Sequence, residues 1–274
     1  TKLREIKLGG AHVIIGTHAL FQEKVTYKDL RLAIIDEQHR FGVKQRLELA
    51  QKGYSVDMLV MTATPIPRSL ALACYGDMDF SLLDEKPAHR QPVQTAVKPV
   101  SKIESVLDRL KLSLDAGKRV YWVCPLVEDS EKVSITSAQN RFEILKQRFP
   151  KSSIGIVHGK MIAEQKDKIM TKFSSGKINI LVSTTVIEVG VDVPEASIMI
   201  IESAERFGLA QLHQLRGRVG RGNEKSSCIL LYSGSLGKNS KARLNILRET
   251  EDGFRISEED LKIRGAGDLL GVVQ

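Results

Sequence analysis

Short apolar runs alternate with stretches of helical periodicity along most of the chain. Residues 12–16, 32–35 and 57–61 read as strands, and residues 44–52 and 67–73 as helices or helical turns between them. Short β-prone runs separated by helical patterns predict a parallel sheet covered by helices. Around residues 84–93 the period breaks, because Pro87, His89, Arg90 and Pro92 fit neither template. That composition marks an interdomain linker. The linker is placed at 87–95, between a first lobe over 1–86 and a second over 96–235.

The pattern then restarts. Ser101 and Glu104 form a predicted capping box. Ile103, Val106, Leu107, Leu110 and Leu114 share one helical face, and Gly117 supplies the stop. Strands are predicted at 119–124, 154–157, 178–183, 198–201 and 228–232. Phe142, Leu145 and Phe149 mark one helix between them, and residues 163–174 form another that Gly176 ends. A basic helix follows over 238–249. Ser257 is expected to cap a short acidic helix, with Asp260 at the box position, before a Gly-rich loop over 263–268.

Composition narrows the class. With 274 residues the chain can bury two cores, and 42% hydrophobic with 27% charged residues is ordinary for a soluble globular protein. No run approaches the ~20 apolar residues of a membrane span. The chain opens Thr1-Lys2-Leu3-Arg4, with neither a secretory apolar segment nor an initiator Met, so a fragment of a longer protein is expected. A net charge of +8 favours a polyanionic partner, nucleic acid first, against a basic enzyme with a solvated surface. Only 5% of residues are aromatic, which argues against stacking on many single-stranded bases. Cys74, Cys124 and Cys228 are odd in number and far apart. They suggest reduced thiols in a cytoplasmic protein, with no metal cluster.

Candidate chemistry begins at residues 34–40, Ile-Ile-Asp-Glu-Gln-His-Arg. A strand that delivers Asp36 and Glu37 to its carboxyl end is how nucleotide-hydrolysing folds present Mg²⁺-orienting and water-activating groups. Asp36 suits a Mg²⁺ shell, through water, and Glu37 suits the proton of an attacking water. An acidic helix N-cap pair is the competing reading. The phosphate-cradling Gly-x-x-x-x-Gly-Lys-Ser/Thr loop that should precede such a strand is not among the first 33 residues. Thr62 and Thr64 leave the next strand and can link a carboxylate site to a moving neighbour; an ordinary strand-to-turn exit through Pro65 and Pro67 is the alternative.

Residues 211–221 place Arg216, Arg218 and Arg221 around Gly217 and Gly220. Two glycines are costly in a solvated helix, so a tight turn aiming guanidinium forks at phosphates is expected, as arginine fingers or as nucleic-acid backbone contacts. In residues 183–194 the hydroxyls after a strand, Thr184 among them, can bond phosphate oxygens. Gly190 permits a turn and Asp192 can accept from a ribose hydroxyl, or the segment is a plain strand and loop. Thr17 and His18 are plausible backbone contacts. His39 and His158 read as positioned or structural histidines.

In order and spacing these segments resemble the DExH-type helicases of superfamily 2, and within them the RecG-type branched-DNA helicases. Residues 36–43, 121–125, 184–194 and 204–222 carry the resemblance. Thr250-Glu-Asp-Gly-Phe with Arg264-Gly-Ala-Gly resembles the translocation motif that family shares with the Mfd-type translocases. The resemblance implies an α/β fold of two RecA-like parallel-sheet lobes, the first truncated and lacking the P-loop, with a C-terminal helical hairpin and loop over 236–274. It implies that Asp36 and Glu37 are the Walker B pair. Gln38, His39, Thr62 and Thr64 would couple hydrolysis to domain movement. Arg218 and Arg221, with Gln214, Gly190 and Asp192, would complete the ATP site. Thr17, His18, Thr184, Arg255, Arg264 and Gln274 fall in DNA-contacting motifs. ATP and Mg²⁺ are the implied cofactors. Branched duplex DNA, at forks and Holliday junctions, is the implied partner of a monomer, with a single-strand-binding protein as a further partner. A non-catalytic DNA-binding fragment and an Mfd-like transcription-repair translocase are the alternatives. Three departures stand out: the Walker A loop and the wedge domain are missing, Ala266 replaces the family's frequent Pro, and Leu270-Gly-Val-Val lacks the basic or hydroxyl residues usual before Gln274.

Overall fold

The structure is a computed structural model that describes residues 2–37, 48–62, 78–83, 85, 90–125, 131–184 and 193–264; the side chains of 131–133 and 264 are outside that description. The chain divides into two compact units, Thr1–Pro65 and Ile66–Gln274.

The first unit contains helix α1 (Lys2–Leu8), a 3-10 turn (His18–Phe21) and two parallel strands, β1 (Leu32–Ile35) and β2 (Asp57–Val60). Alternation decides which side chains are buried. Ala33 and Ile35 pack with Leu49 against Phe21, Leu30, Val56 and Met58, while Leu32, Ile34 and Leu59 face solvent. Residues 12–16 are not a strand, contrary to expectation: Val13 is 81% and Ile15 93% exposed. A strand needs a ladder, and among the described residues β1 and β2 pair only with each other. Of the expected helix at 44–52, residues 48–50 are helical and 44–47 lie outside the described residues, as does the one at 67–73.

The second unit is a six-stranded parallel sheet. Its strands are β3 (Val93–Pro99), β4 (Arg119–Val123), β5 (Ile154–Val157), β6 (Ile180–Ser183), β7 (Ala196–Ile201) and β8 (Ser226–Tyr232), in the order β3-β8-β7-β4-β6-β5. Helices α2 (Ile103–Asp115), α3 (Glu131–Arg148), α4 (Ala163–Ser174) and α5 (Leu209–Arg216) belong to the crossovers. Helices α6 (Lys238–Glu249) and α7 (Gly253–Arg264) follow the last strand. Parallel strands covered on both faces read as near-continuous apolar runs; β6 and β7 are buried at every position and β4 at all but Arg119, with Ser183 and Ser197 the only polar side chains among the buried positions. Trp122 and Val120 of β4 enter one core with Leu107, Leu110, Leu145 and Phe149 of the α2–α3 side; Tyr121 and Val123 enter the other with Phe173, Leu212, Leu247 and Ile256.

Three expectations are corrected. Residues 93–95, read as linker, begin β3, whose polar Gln94 and Lys98 hide an edge-strand pattern. The Ser101–Glu104 capping box does not form, because a 3-10 turn over Val100–Lys102 moves the start of α2 to Ile103, with Lys102 as an N-cap that makes no side-chain cap bond. Ser257 lies inside α7: Asp252 Oδ1 accepts from the amides of Phe254 and Arg255 at 2.8 and 3.4 Å, so the helix starts earlier. No described helix is long and apolar enough to cross a membrane.

Phe173 is fully buried, with its ring 4.8 Å from that of Tyr121. Phe173→Ala should therefore cost about 3–5 kcal/mol, read from urea unfolding of the second unit. Burial pushes the Cys228 thiol up to about 12, against a partial lowering by Arg216; burial and then Glu202 push Cys124 up as well. The unfolded thiol ionises near 9 and the buried one does not, so stability is expected to fall as pH rises from about 9 toward 12. At pH 8, iodoacetamide should modify neither Cys124 nor Cys228 until urea unfolds the chain, as peptide mapping would report.

Candidate nucleotide and nucleic-acid site

In the first unit, β1 ends where the acidic pair begins. Asp36 is exposed, and its Oδ1 accepts the Glu37 amide at 2.8 Å. Glu37 is half-buried and has φ +54°, a left-handed conformation that a side chain with Cβ adopts at a cost of about 1–3 kcal/mol. The strand thus turns sharply at its carboxyl end, where α/β sheets bind ligands. The Met61 amide donates to Ile35 O at 2.8 Å, so Asp36 and Thr62 leave adjacent strands at the same edge. Thr62 is half-buried. Gln38, His39 and Thr64 lie outside the described residues. Thr17 precedes the exposed 3-10 turn, and the His18 ring lies 6.1 Å from that of Phe21.

Asp36 offers the hard carboxylate oxygens that Mg²⁺ prefers, and Mg²⁺ characteristically takes one or two carboxylates beside waters and substrate phosphates. The fit is to that kind of site and not to an all-protein cage: among the described residues no group of three or more His, Cys, Asp or Glu could hold a metal.

In the second unit, α5 carries Gln214, half-buried, and ends at Arg216. Arg216 corrects the reading of three phosphate-facing arginines. It is 3% exposed and donates from Nη1 to Leu247 O at 2.6 Å and to Thr250 O at 2.9 Å, with Nη2 2.9 Å from His213 Nδ1. Its partners are the open carbonyls at the end of α6. Burial lowers its pKa; Cys228 and Glu251 act the other way. Arg218 is half-buried, while Arg221 is exposed and donates from Nε to Gly217 O at 3.0 Å. The turn needs Gly220, whose φ is +75° and where a Cβ would come within 2.7 Å of the Val93 side chain.

Thr184 follows β6 as expected but is 1% exposed, and its amide donates to Val157 O at 3.3 Å. Gly190, Asp192 and Gln274 lie outside the described residues. Arg255 is exposed on α7, and the backbone of Arg264 ends that helix.

Sequence reasoning missed the groups that hold these elements in place. Arg243 of α6 donates to Glu205 O and Phe207 O, both at 3.3 Å, in the segment that leads into α5, so α6 is tied to the residues before α5 by Arg243 and to the end of α5 by Arg216. Glu251 accepts the Val93 amide at the start of β3. Glu202, at the end of β7, accepts from Trp122 Nε1 and from Arg141, whose Nη2 is 3.1 Å away and whose guanidinium lies 5.3 Å from the Trp122 ring centre. Each is a charged residue whose partners are remote in sequence, so no local signal distinguished it from surface charge.

Arg216→Met should leave the buried Leu247 carbonyl and the half-buried Thr250 carbonyl without this donor. At about 1–3 kcal/mol for each such group, a drop in thermal midpoint of several degrees is expected. Arg221→Met, at an exposed position, should stay within about 0.5 kcal/mol of the unsubstituted chain. Calorimetry of both checks the assignment, and equal losses would contradict it.

Residues 101–223 match the family model for the helicase conserved C-terminal domain, and residues 1–72 that for the DEAD/DEAH box helicases. The chain is 52% identical to the ATP-dependent DNA helicase RecG of Acidithiobacillus ferridurans, over 97% of this chain and 39% of that protein. It is 51% identical to the ATP-dependent DNA helicase RecG of Haemophilus influenzae, over 100% of this chain and 40% of that protein. It therefore spans about two fifths of the length of these curated relatives. Among solved structures, RecG bound to a three-way DNA junction is 46% identical with a TM-score of 0.75, covering 98% of this chain and 35% of that one. S. cerevisiae Dbp5 bound to RNA and ADP BeF3, at 17% identity and a TM-score of 0.61, covering 93% of this chain and 70% of that one, shares the fold alone. With about half its residues shared along its whole length, the chain belongs to the RecG-type DNA helicase family.

Proposed function

We propose that this chain is the motor portion of an ATP-dependent double-stranded-DNA translocase that remodels stalled forks and Holliday junctions in recombination and repair. The observation that carries the reading is the pairing of two segments: an acidic pair at the carboxyl end of β1 and an arginine turn after α5, in a chain about half identical to RecG helicases throughout. The junction-bound relative supports branched DNA as the substrate.

In this reading the chain binds ATP, and Mg²⁺ would neutralise its phosphates. Asp36 would hold Mg²⁺, through water, when the ion is bound. Glu37, held in its left-handed turn, accepts the proton of the attacking water. Arg218 and Arg221 meet charge that develops on the phosphates, and Gln214 lines the same wall. Thr62, Thr64, Gln38 and His39 transmit the change, and Gly190 and Asp192 contribute to the nucleotide pocket. The hydrogen bonds of Arg216 and Arg243 tie the arginine turn to α6, so a nucleotide-driven change at the turn would move the hairpin along duplex DNA. Thr17, His18, Arg255, Arg264 and Gln274 are assigned to the DNA track; Thr184, at 1% exposure, is left out of it. Contacts of this kind are backbone-directed and salt-sensitive.

A second reading, a DNA-binding module without catalysis, is favoured by one observation: the 274 residues contain no Gly-x-x-x-x-Gly-Lys-Ser/Thr. The two are separated by measuring fork-stimulated ATP hydrolysis and fluorescence anisotropy on forked DNA. The chain alone should bind forks with or without ATP and turn over little of it. In a protein that joins this chain to a phosphate loop, Arg221→Ala should lower turnover by about 10³-fold or more while DNA affinity changes little. Lost DNA binding with normal hydrolysis would sink the arginine-finger assignment.

A further inference from the structure

The exposed face of α6 carries a charge pattern that the site above does not use. Lys238, Lys241 and Arg248 are all exposed, and Leu244, Ile246 and Leu247 turn into the core. At 100° per residue the three cations and Asn245 fall within an arc of about 80°, opposite the buried face, and they span about 15 Å along the axis. None of the ion pairs between described residues involves any of the three.

A merely solvated helix face looks different, and this molecule supplies examples. On α4, Lys168 pairs with Glu164 at 2.6 Å, and on α7, Lys262 pairs with Glu259 at 2.7 Å. Helix α6 has no acid in its first turn, and its one acidic residue, Glu249, comes last. Lys238 and Lys241 also stand at the positive end of the helix dipole, where cations oppose helix stability. The stripe is therefore placed against the helix's own electrostatic preference, and an external polyanion relieves that opposition.

We infer that Lys238, Lys241 and Arg248 form a backbone-contacting stripe that rides on the phosphates of duplex DNA. Duplex DNA presents about one charge per 1.7 Å of axis, so a stripe of this length meets several phosphates without reading bases. The inference rests on the DNA-translocase reading and adds to it a contact on the hairpin's first helix.

Salt dependence of binding tests it. The 274-residue chain and its Lys238→Gln/Lys241→Gln/Arg248→Gln variant are titrated onto a fluorescent forked duplex from 50 to about 200 mM salt, with thermal midpoints recorded for both. Each lost phosphate contact removes about 0.9 from the slope of log K against log salt, so the variant should lose about 2–3 units of slope while its midpoint holds or rises. A control that removes the same charge elsewhere, Lys102→Gln/Lys111→Gln/Lys151→Gln, should keep the original slope. An unchanged slope in the α6 variant, or an equal fall in the control, overturns the stripe. Failure of the unsubstituted chain to bind forked DNA overturns the DNA-binding reading itself, and the stripe with it.

Discussion

A buried guanidinium holds the second unit's working parts in register. Arg216 closes α5 and, in the same stroke, caps the carbonyls of Leu247 and Thr250 at the end of α6. A helix end has several carbonyls without intrahelical partners, and burying them without donors would cost more than most core contacts return. Here the donor is supplied by the helix that leads into the arginine turn. The position of the turn and the direction of the hairpin are consequently one structural variable.

The hydrophobic core reinforces that constraint. Leu209, Leu212 and Leu215 of α5 pack with Leu244, Ile246 and Leu247 of α6 and Ile256 of α7 in one cluster beneath the sheet. Non-directional packing of this kind sets the separation of the helices but leaves sliding soft. The two arginines fix the sliding coordinate, Arg216 at one end and Arg243 at the other. On the opposite face Glu202 does comparable work for α3, drawing Arg141 and Trp122 to the carboxyl end of β7.

Much of the fold was legible because parallel strands covered on both faces read as short, nearly continuous apolar runs. Residues 154–157, 163–174 and 238–249 are as the sequence implied, and Gly117 and Gly176 stop their helices at φ +79° and +76°. Edges were harder. The first residues of β3 follow directly on Pro87, His89, Arg90 and Pro92, and polar Gln94 and Thr95 continue no apolar run, so residues 93–95 read as linker. Residues 12–16 have a strand's composition, yet composition cannot supply a neighbour. At the candidate site, the sequence pattern placed Asp36 and Thr62 after strands and an arginine turn after Gln214, as the structure has them, but could not sort the arginines. Arg216 and Arg221 are alike in local context, and only the distant carbonyls of Leu247 and Thr250 make one of them internal.

Val93 gathers three of these features at one residue. Its amide is held by Glu251, ahead of α7; its side chain fills the space a Cβ at Gly220 would need; and it is the first residue of β3. The chain thus enters the second sheet through a knot tied at once to the arginine turn and to the hairpin. Any displacement of Val93 would therefore disturb the arginine turn and the residues ahead of α7 together, as well as the edge of the sheet.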